Sequence, residues 1–198
     1  SPNQAASIQE TLESVAAQTC GEVSPVLVHN MNTHANMLPE FASEWASLPG
    51  NPEAPQHPVG YSKDVFARLL REFGTNQDLW CFLTPGMRIR PNFSEICRQA
   101  LLNRSNDGFC LPWIYDKDDN RIIARSGIDE SELLLHPKSA DCFTLFRQSD
   151  LLVSIFNGDL NGHYLGDILR DGMLKLLEHG TAGTVIPHIL GDSHRPLD

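Results

Sequence analysis

The sequence predicts an α/β fold on a mixed sheet, and three observations carry that reading. Strand-like apolar runs alternate with helical periodicity through the first hundred residues, the pattern of parallel strands joined by right-handed crossovers. Two further strand-like runs flank a polar tip at residues 116–120, which adds an antiparallel hairpin. The 198 residues are 41% hydrophobic and 20% charged, enough to bury one core and unlike a disordered chain. A single domain is expected.

Element by element, residues 5–18 place Ile8, Leu12 and Val15 at helical spacing, with Ser7 and Glu10 set like a capping box. Cys20-Gly21-Glu22 ends that helix. Val23-Ser24-Pro25-Val26-Leu27-Val28 then reads as a short buried strand that runs into the polar stretch His29-Asn30-Met31-Asn32-Thr33-His34. Residues 36–45 suit a second helix, and the proline-rich stretch 48–58 reads as surface loop. Residues 63–73 put Val65, Phe66, Leu69, Leu70 and Phe73 on one helical face. The most apolar strand, 79–83, ends at Thr84-Pro85-Gly86-Met87. Pro91-Asn92-Phe93-Ser94 opens a helix through residue 102 with Phe93, Ile96, Cys97, Ala100 and Leu101 as its buried stripe. Strands at 109–115 and 121–124 form the hairpin, and another is expected at 142–146. A glycine-bearing segment at 157–166 leads to a helix over 167–178, stopped by His179-Gly180, and a last strand at 184–190.

Charge and cysteine usage narrow the function classes. Fifteen Lys and Arg against 25 Asp and Glu give a net charge of −10, which argues against a generic nucleic-acid binder. No apolar run approaches the ~18 residues of a membrane span, and Ser1-Pro2-Asn3-Gln4 has neither region of a signal peptide. Five cysteines without CxxC spacing signal neither a disulfide framework nor a zinc knuckle, so buried thiols in a reducing compartment are expected.

Taken in order, several segments resemble the inverting family-2 glycosyltransferases of the GT-A fold. Residues 7–19 (SIQETLESVAAQT) match that family's first helix, with its closing Leu-x-Ser-Val-x-x-Gln-Thr phrase. Pro2-Asn3 sits at the place of the end of the family's first strand, Val26-Leu27-Val28 at the second, and residues 80–91 at the strand and turn that hold a metal-binding Asp-x-Asp. Residues 115–121 are similar to the acceptor-side hairpin, 167–180 to the helix of the catalytic base, and 185–195 to the final strand and its His-Arg end.

The resemblance implies a three-layer GT-A-like sandwich with its first strand absent or truncated, and hence an excerpt of a longer chain. It implies transfer of a sugar, with inversion, from a nucleotide-sugar to a saccharide or lipid-linked acceptor. The setting would be the cytoplasm or the cytoplasmic membrane face, in association with other domains or a membrane-associated assembly. Asp167 or Asp171 would be the base, Thr84, Gly86, Arg88 and His194 would surround the diphosphate, and His29 and Asn30 would lie near the nucleotide. The usual Mg²⁺ or Mn²⁺ lacks its ligand motif, because Thr84 with Gly86 or Met87 stands where the aspartates belong.

Each signal also has a plainer reading. Thr84–Met87 is also a tight turn, Arg88 and Arg90 are also solvated loop cations, and Asp116, Asp118 and Asp119 are also a solvated hairpin tip. His29 and His34 lack a third metal ligand. Asp167 also fits as a helix N-terminal charge. A non-catalytic glycosyltransferase-like binding or assembly module therefore stands beside the enzyme as a second expectation, since acids are missing at both expected donor positions.

Overall fold

Two long parallel strands, β5 (Asp107–Asp116) and β8 (Ala182–Ser193), form the spine of a six-stranded mixed sheet. In this computed structural model the described residues are 2–20, 23–29, 45–49, 63–74, 79–135, 142–158 and 165–194. The sheet is completed by β3 (Leu79–Cys81), β4 (Met87–Ile89), β6 (Arg121–Ile123) and β7 (Leu145–Arg147), in the order β3-β7-β5-β8-β4 with β6 beside β5. Because β7 is antiparallel to both β3 and β5, the strands β3, β5 and β8 point the same way, while β4, β6 and β7 oppose them. Register shifts between Pro112 and Trp113 and between Trp113 and Ile114 leave extra residues on β8, and such bulges bend and twist a sheet. The expected α/β class with a mixed sheet is what the chain adopts, and the sheet is curled.

Helices cover both faces. Successive strand residues point to opposite sides, so neighbouring Cys110 and Phe109 identify the two layers. The Cys110 thiol reaches the Cys97 carbonyl of α3 (Phe93–Leu102) at 3.9 Å. Phe109 packs on Phe146 of β7, whose ring meets Phe156 of α5 (Asp150–Asn157) edge-on at 5.9 Å. On that second face α6 (Leu165–Glu178) packs on α5, and α2 (Lys63–Glu72) packs on α5 as well. The remaining helices are α1 (Pro2–Ala16), beside β4, and the short α4 (Glu130–Leu135). A Schellman end turns α6 into β8: Gly180 adopts φ +78°, its N–H donates to Leu177 and that of Thr181 to Leu176, as the His179-Gly180 stop predicts.

The buried thiols follow from this packing. Cys97, Cys110 and Cys142 are buried. The adjoining Cys110 thiol, followed by burial, pushes the Cys97 thiol far above its ordinary value. Desolvation first, then the nearby Cys110, does the same to Cys81.

Several expectations need correction. Pro2 and Asn3 lie in α1 and are not the end of a strand. Ser7 is consequently inside the helix, where its carbonyl accepts from the Thr11 hydroxyl at 3.0 Å, so it is no N-cap. The strand β1 (Val26–His29) does not enter the main sheet; it pairs in parallel with β2 (Ala46–Pro49) in a separate two-stranded sheet, and Leu48 and Pro49 are strand where loop was expected. Helices α4 and α5 were not anticipated. Each carries a cap in the sequence: Ser149 accepts from the Leu152 N–H at 3.0 Å, and Asp129 accepts from the Glu132 N–H at 2.9 Å. Hydrogen bonds from the Ser131 hydroxyl and the Glu132 amide hold the Asp129 carboxyl below its usual range. The expected helix at 36–45 and most of the segments 48–58 and 157–166 lie outside the described residues. No described helix is long and apolar enough to cross a membrane.

Candidate functional site

Three strands that point the same way deliver their carboxyl ends toward one side of the sheet, the usual ligand side of an α/β fold. Strand β3 runs into Thr84-Pro85-Gly86-Met87, where the Met87 N–H donates to the Thr84 carbonyl at 3.1 Å. Proline at the second position and Gly86 at φ +91° at the third make this a type II turn, which asks for glycine there.

Helix α1 holds that turn by its polar face. The Gly86 N–H donates to the Thr11 hydroxyl at 3.1 Å, and that hydroxyl also reaches the Thr84 carbonyl at 3.4 Å. One turn further, the buried Ser14 hydroxyl donates to the Thr11 carbonyl at 2.7 Å and accepts from the Ile89 N–H at 3.2 Å. The Gln18 amide nitrogen then donates to the Arg90 carbonyl at 2.8 Å, and its oxygen accepts from the Ser94 N–H at 3.0 Å. Thr19 donates from both N–H and hydroxyl to the Pro91 carbonyl, at 2.8 and 3.1 Å. The residues at 11, 14, 18 and 19 thus read the backbone of 84–94 step by step. Ser14, Gln18 and Thr19 of the Ser-Val-x-x-Gln-Thr phrase hold residues 89–94, and Thr11 ahead of it holds the turn.

The end of β8 closes the site from the other side. The His194 N–H donates to the Gly86 carbonyl at 3.0 Å, and the Lys117 N–H donates to the Ser193 carbonyl at 3.0 Å. These two bonds bring the hairpin tip against the turn. The Asp116 carboxylate, itself buried, accepts from the N–H groups of Asp118 and Asp119 at 3.1 and 3.4 Å, which shapes the tip. The His194 Nδ1 and an Asp118 carboxylate oxygen stand 2.6 Å apart.

Charges ring the turn in pairs. Arg90 holds Asp192 at 2.8 Å, whereas Arg88 stands 4.0 Å from Glu10 with both side chains about half exposed. Exposed pairs of that length contribute little and are screened by salt. Arg88 is therefore the more available cation of the two.

Of the expected site residues, Thr84, Gly86, Arg88 and His194 are brought together around this turn. Asp167 and Asp171 sit on α6. That helix runs back along β8 from the Gly180 turn, but its 14 residues cover ~21 Å against ~40 Å for the 12-residue strand. Asp171 is paired with Lys175 at 3.4 Å, and Asp167 occupies the first turn of α6, half-buried. His29 ends β1, which lies in the separate sheet; its side chain, Asn30 and His34 lie outside the described residues.

A hard divalent metal does not fit the turn. Its atoms are a hydroxyl, a thioether and backbone groups, and the Thr84 carbonyl and Gly86 N–H are already used within the protein. Among the described residues, no three His, Cys, Asp or Glu side chains are grouped to hold a metal ion. Mg²⁺ and Mn²⁺ want carboxylate oxygens.

Comparison with protein families and with curated proteins finds no match for this chain. Two features of the site go beyond the sequence reading. Asp118 had the look of a solvated tip residue, and only the β5–β8 ladder reveals that it meets His194, 76 positions away. The polar face Thr11-Ser14-Gln18 was not read from the sequence, where only the apolar spacing of this helix and its closing phrase were noted.

Proposed function

We propose that this chain is a GT-A-like glycosyltransferase domain that takes a nucleotide-sugar at the turn between β3 and β4 and passes its sugar, with inversion, to a saccharide or lipid-linked acceptor. One observation carries the reading: the helix that bears the most specific phrase holds the Thr84–Met87 turn through Thr11 and the segment after it through Ser14, Gln18 and Thr19, and the same Gly86 binds the backbone of the late histidine. The two segments that the resemblance puts around the diphosphate are thereby hydrogen-bonded to each other, and the first helix is bonded to one of them.

The chemistry that follows is metal-free. Arg88, loosely held by Glu10, supplies positive charge for the departing diphosphate, a role suited to a guanidinium. The side-chain-free Gly86 lets the donor approach the backbone closely.

A non-catalytic module that keeps the fold as a binding or assembly surface is the second reading. Its specific support is the lack of a carboxylate within the turn together with the pairing of Asp171 to Lys175.

Thermal shift with UDP-, GDP- and dTDP-sugars, each with and without Mn²⁺, separates the two. A donor at a hundred times its Kd stabilises the fold by about 2.7 kcal/mol, which is roughly 5–10 °C for a chain of this size. A shift with one donor that does not need Mn²⁺ supports the proposal. No shift with any donor counts against nucleotide-sugar chemistry by this domain.

A further inference from the structure

We propose that His194 is the proton acceptor for the acceptor hydroxyl and that Asp118 is its positioning residue, in place of a carboxylate base on α6; this rests on the nucleotide-sugar reading above. An ionised carboxylate can only accept a hydrogen bond, so the 2.6 Å contact to Asp118 puts the imidazole proton on Nδ1. The lone pair is then on Nε2, which has no hydrogen-bond partner among the described residues. His194 is about half exposed, at 45%, and Asp118 less so, at 23%, so the ring is open to a ligand while its orienting group is sheltered.

Both members are fixed by backbone bonds. His194 hangs from the Gly86 carbonyl, and the Asp118 N–H is held by Asp116, on a tip that Lys117 ties to Ser193. The dyad therefore sits beside the turn that the donor would occupy. Asp171, by contrast, is engaged by Lys175 on α6. The other charged groups at this end are Asp116 and Lys117, Asp119 with Arg121, Asp192 with Arg90, and Glu10 with Arg88.

In the step itself, the acceptor O–H proton passes to Nε2 as its oxygen bonds to the anomeric carbon. The bond from that carbon to the diphosphate oxygen breaks, its electron pair leaves with the nucleoside diphosphate, and imidazolium later releases the proton to water. Nothing else is consumed.

Two measurements test this on the whole chain. Nitrogen NMR of the imidazole, which needs no donor, should show neutral His194 protonated on Nδ1, and Asp118→Asn should mix the tautomers. A wild-type ring protonated on Nε2 overturns the proposal. In transfer assays with a donor that binds, His194→Gln should keep donor affinity within about threefold and lose roughly 10²- to 10⁴-fold in rate. Asp118→Asn should lose less in rate and keep donor affinity, while Asp119→Asn leaves both unchanged. Wild-type transfer by His194→Gln, or loss of donor binding in step with transfer, would refute it. If the wild-type chain binds no nucleotide-sugar, the donor reading fails, and the tautomer measurement still decides whether the dyad is set as a base.

Discussion

Replacing Ser14 by alanine should destabilise the protein far more than the loss of one small hydroxyl suggests. Ser14 is 8% exposed, and its oxygen is the acceptor for the Ile89 N–H at 3.2 Å. Strand β4 is a sheet edge whose other side pairs with β8, so that N–H faces α1. Alanine leaves it buried and unmet, at a cost of about 1–3 kcal/mol. With a urea m-value of ~2 kcal/mol/M, the unfolding midpoint should fall by roughly 0.5–1.5 M while m stays constant. Urea titration followed by tryptophan fluorescence reads the change, and hydrogen exchange at the Ile89 amide should accelerate more than at amides of α6. Glu13→Ala, on the exposed face one residue away, should stay within about 0.5 kcal/mol. If Ser14→Ala matches Glu13→Ala, α1 does not grip the 84–94 segment through this hydroxyl and the clamp argument fails.

Gly191→Ala should also be costly, because a Cβ there would lie 2.4 Å from the fully buried ring of Phe143. Overpacking of that kind costs about 1–3 kcal/mol; a thermal midpoint equal to wild type would contradict it. Gly86→Ala forces a side chain to φ +91°, and roughly 1–3 kcal/mol of strain is expected in calorimetry, with no loss of stability as the contrary result. Thiol alkylation should label Cys20 rapidly in the native protein and all five cysteines in denaturant. Cys97, Cys110 and Cys142 are buried, and the thiols of Cys81 and Cys97 are held protonated. Rapid native labelling of Cys97 would show that the α3 layer opens.

What was legible in the sequence depended on the range of the interaction. Helix α3 and the end of α6 follow from local signals, an apolar stripe and a Gly180 stop, and both form as expected. A tight turn at 84–87 was readable from Pro85-Gly86, and the structure makes it type II. Helix α5 was overlooked because its run LLVSIF has a single polar residue, Ser154, and so lacks the polar half of the helical period; the Ser149 cap was the available clue. Strand β1 was readable as a strand but not as a partner of β2, since parallel pairing leaves no turn signature. The site divides in the same way. Thr84, Gly86 and Arg88 lie in one local segment, whereas the meeting of Asp118 with His194 depends on the register of Asp116 opposite Ser193 across two strands.

The most direct test of the central claim is calorimetric titration of the whole chain with nucleotide-sugars in the presence of a chelator. Saturable binding of one donor without metal is expected, weakened by added salt and reduced roughly tenfold or more in Arg88→Ala, because the cation beside the Gly86 turn meets a diphosphate. Binding that appears only when Mn²⁺ is supplied, or that is indifferent to Arg88, would contradict it.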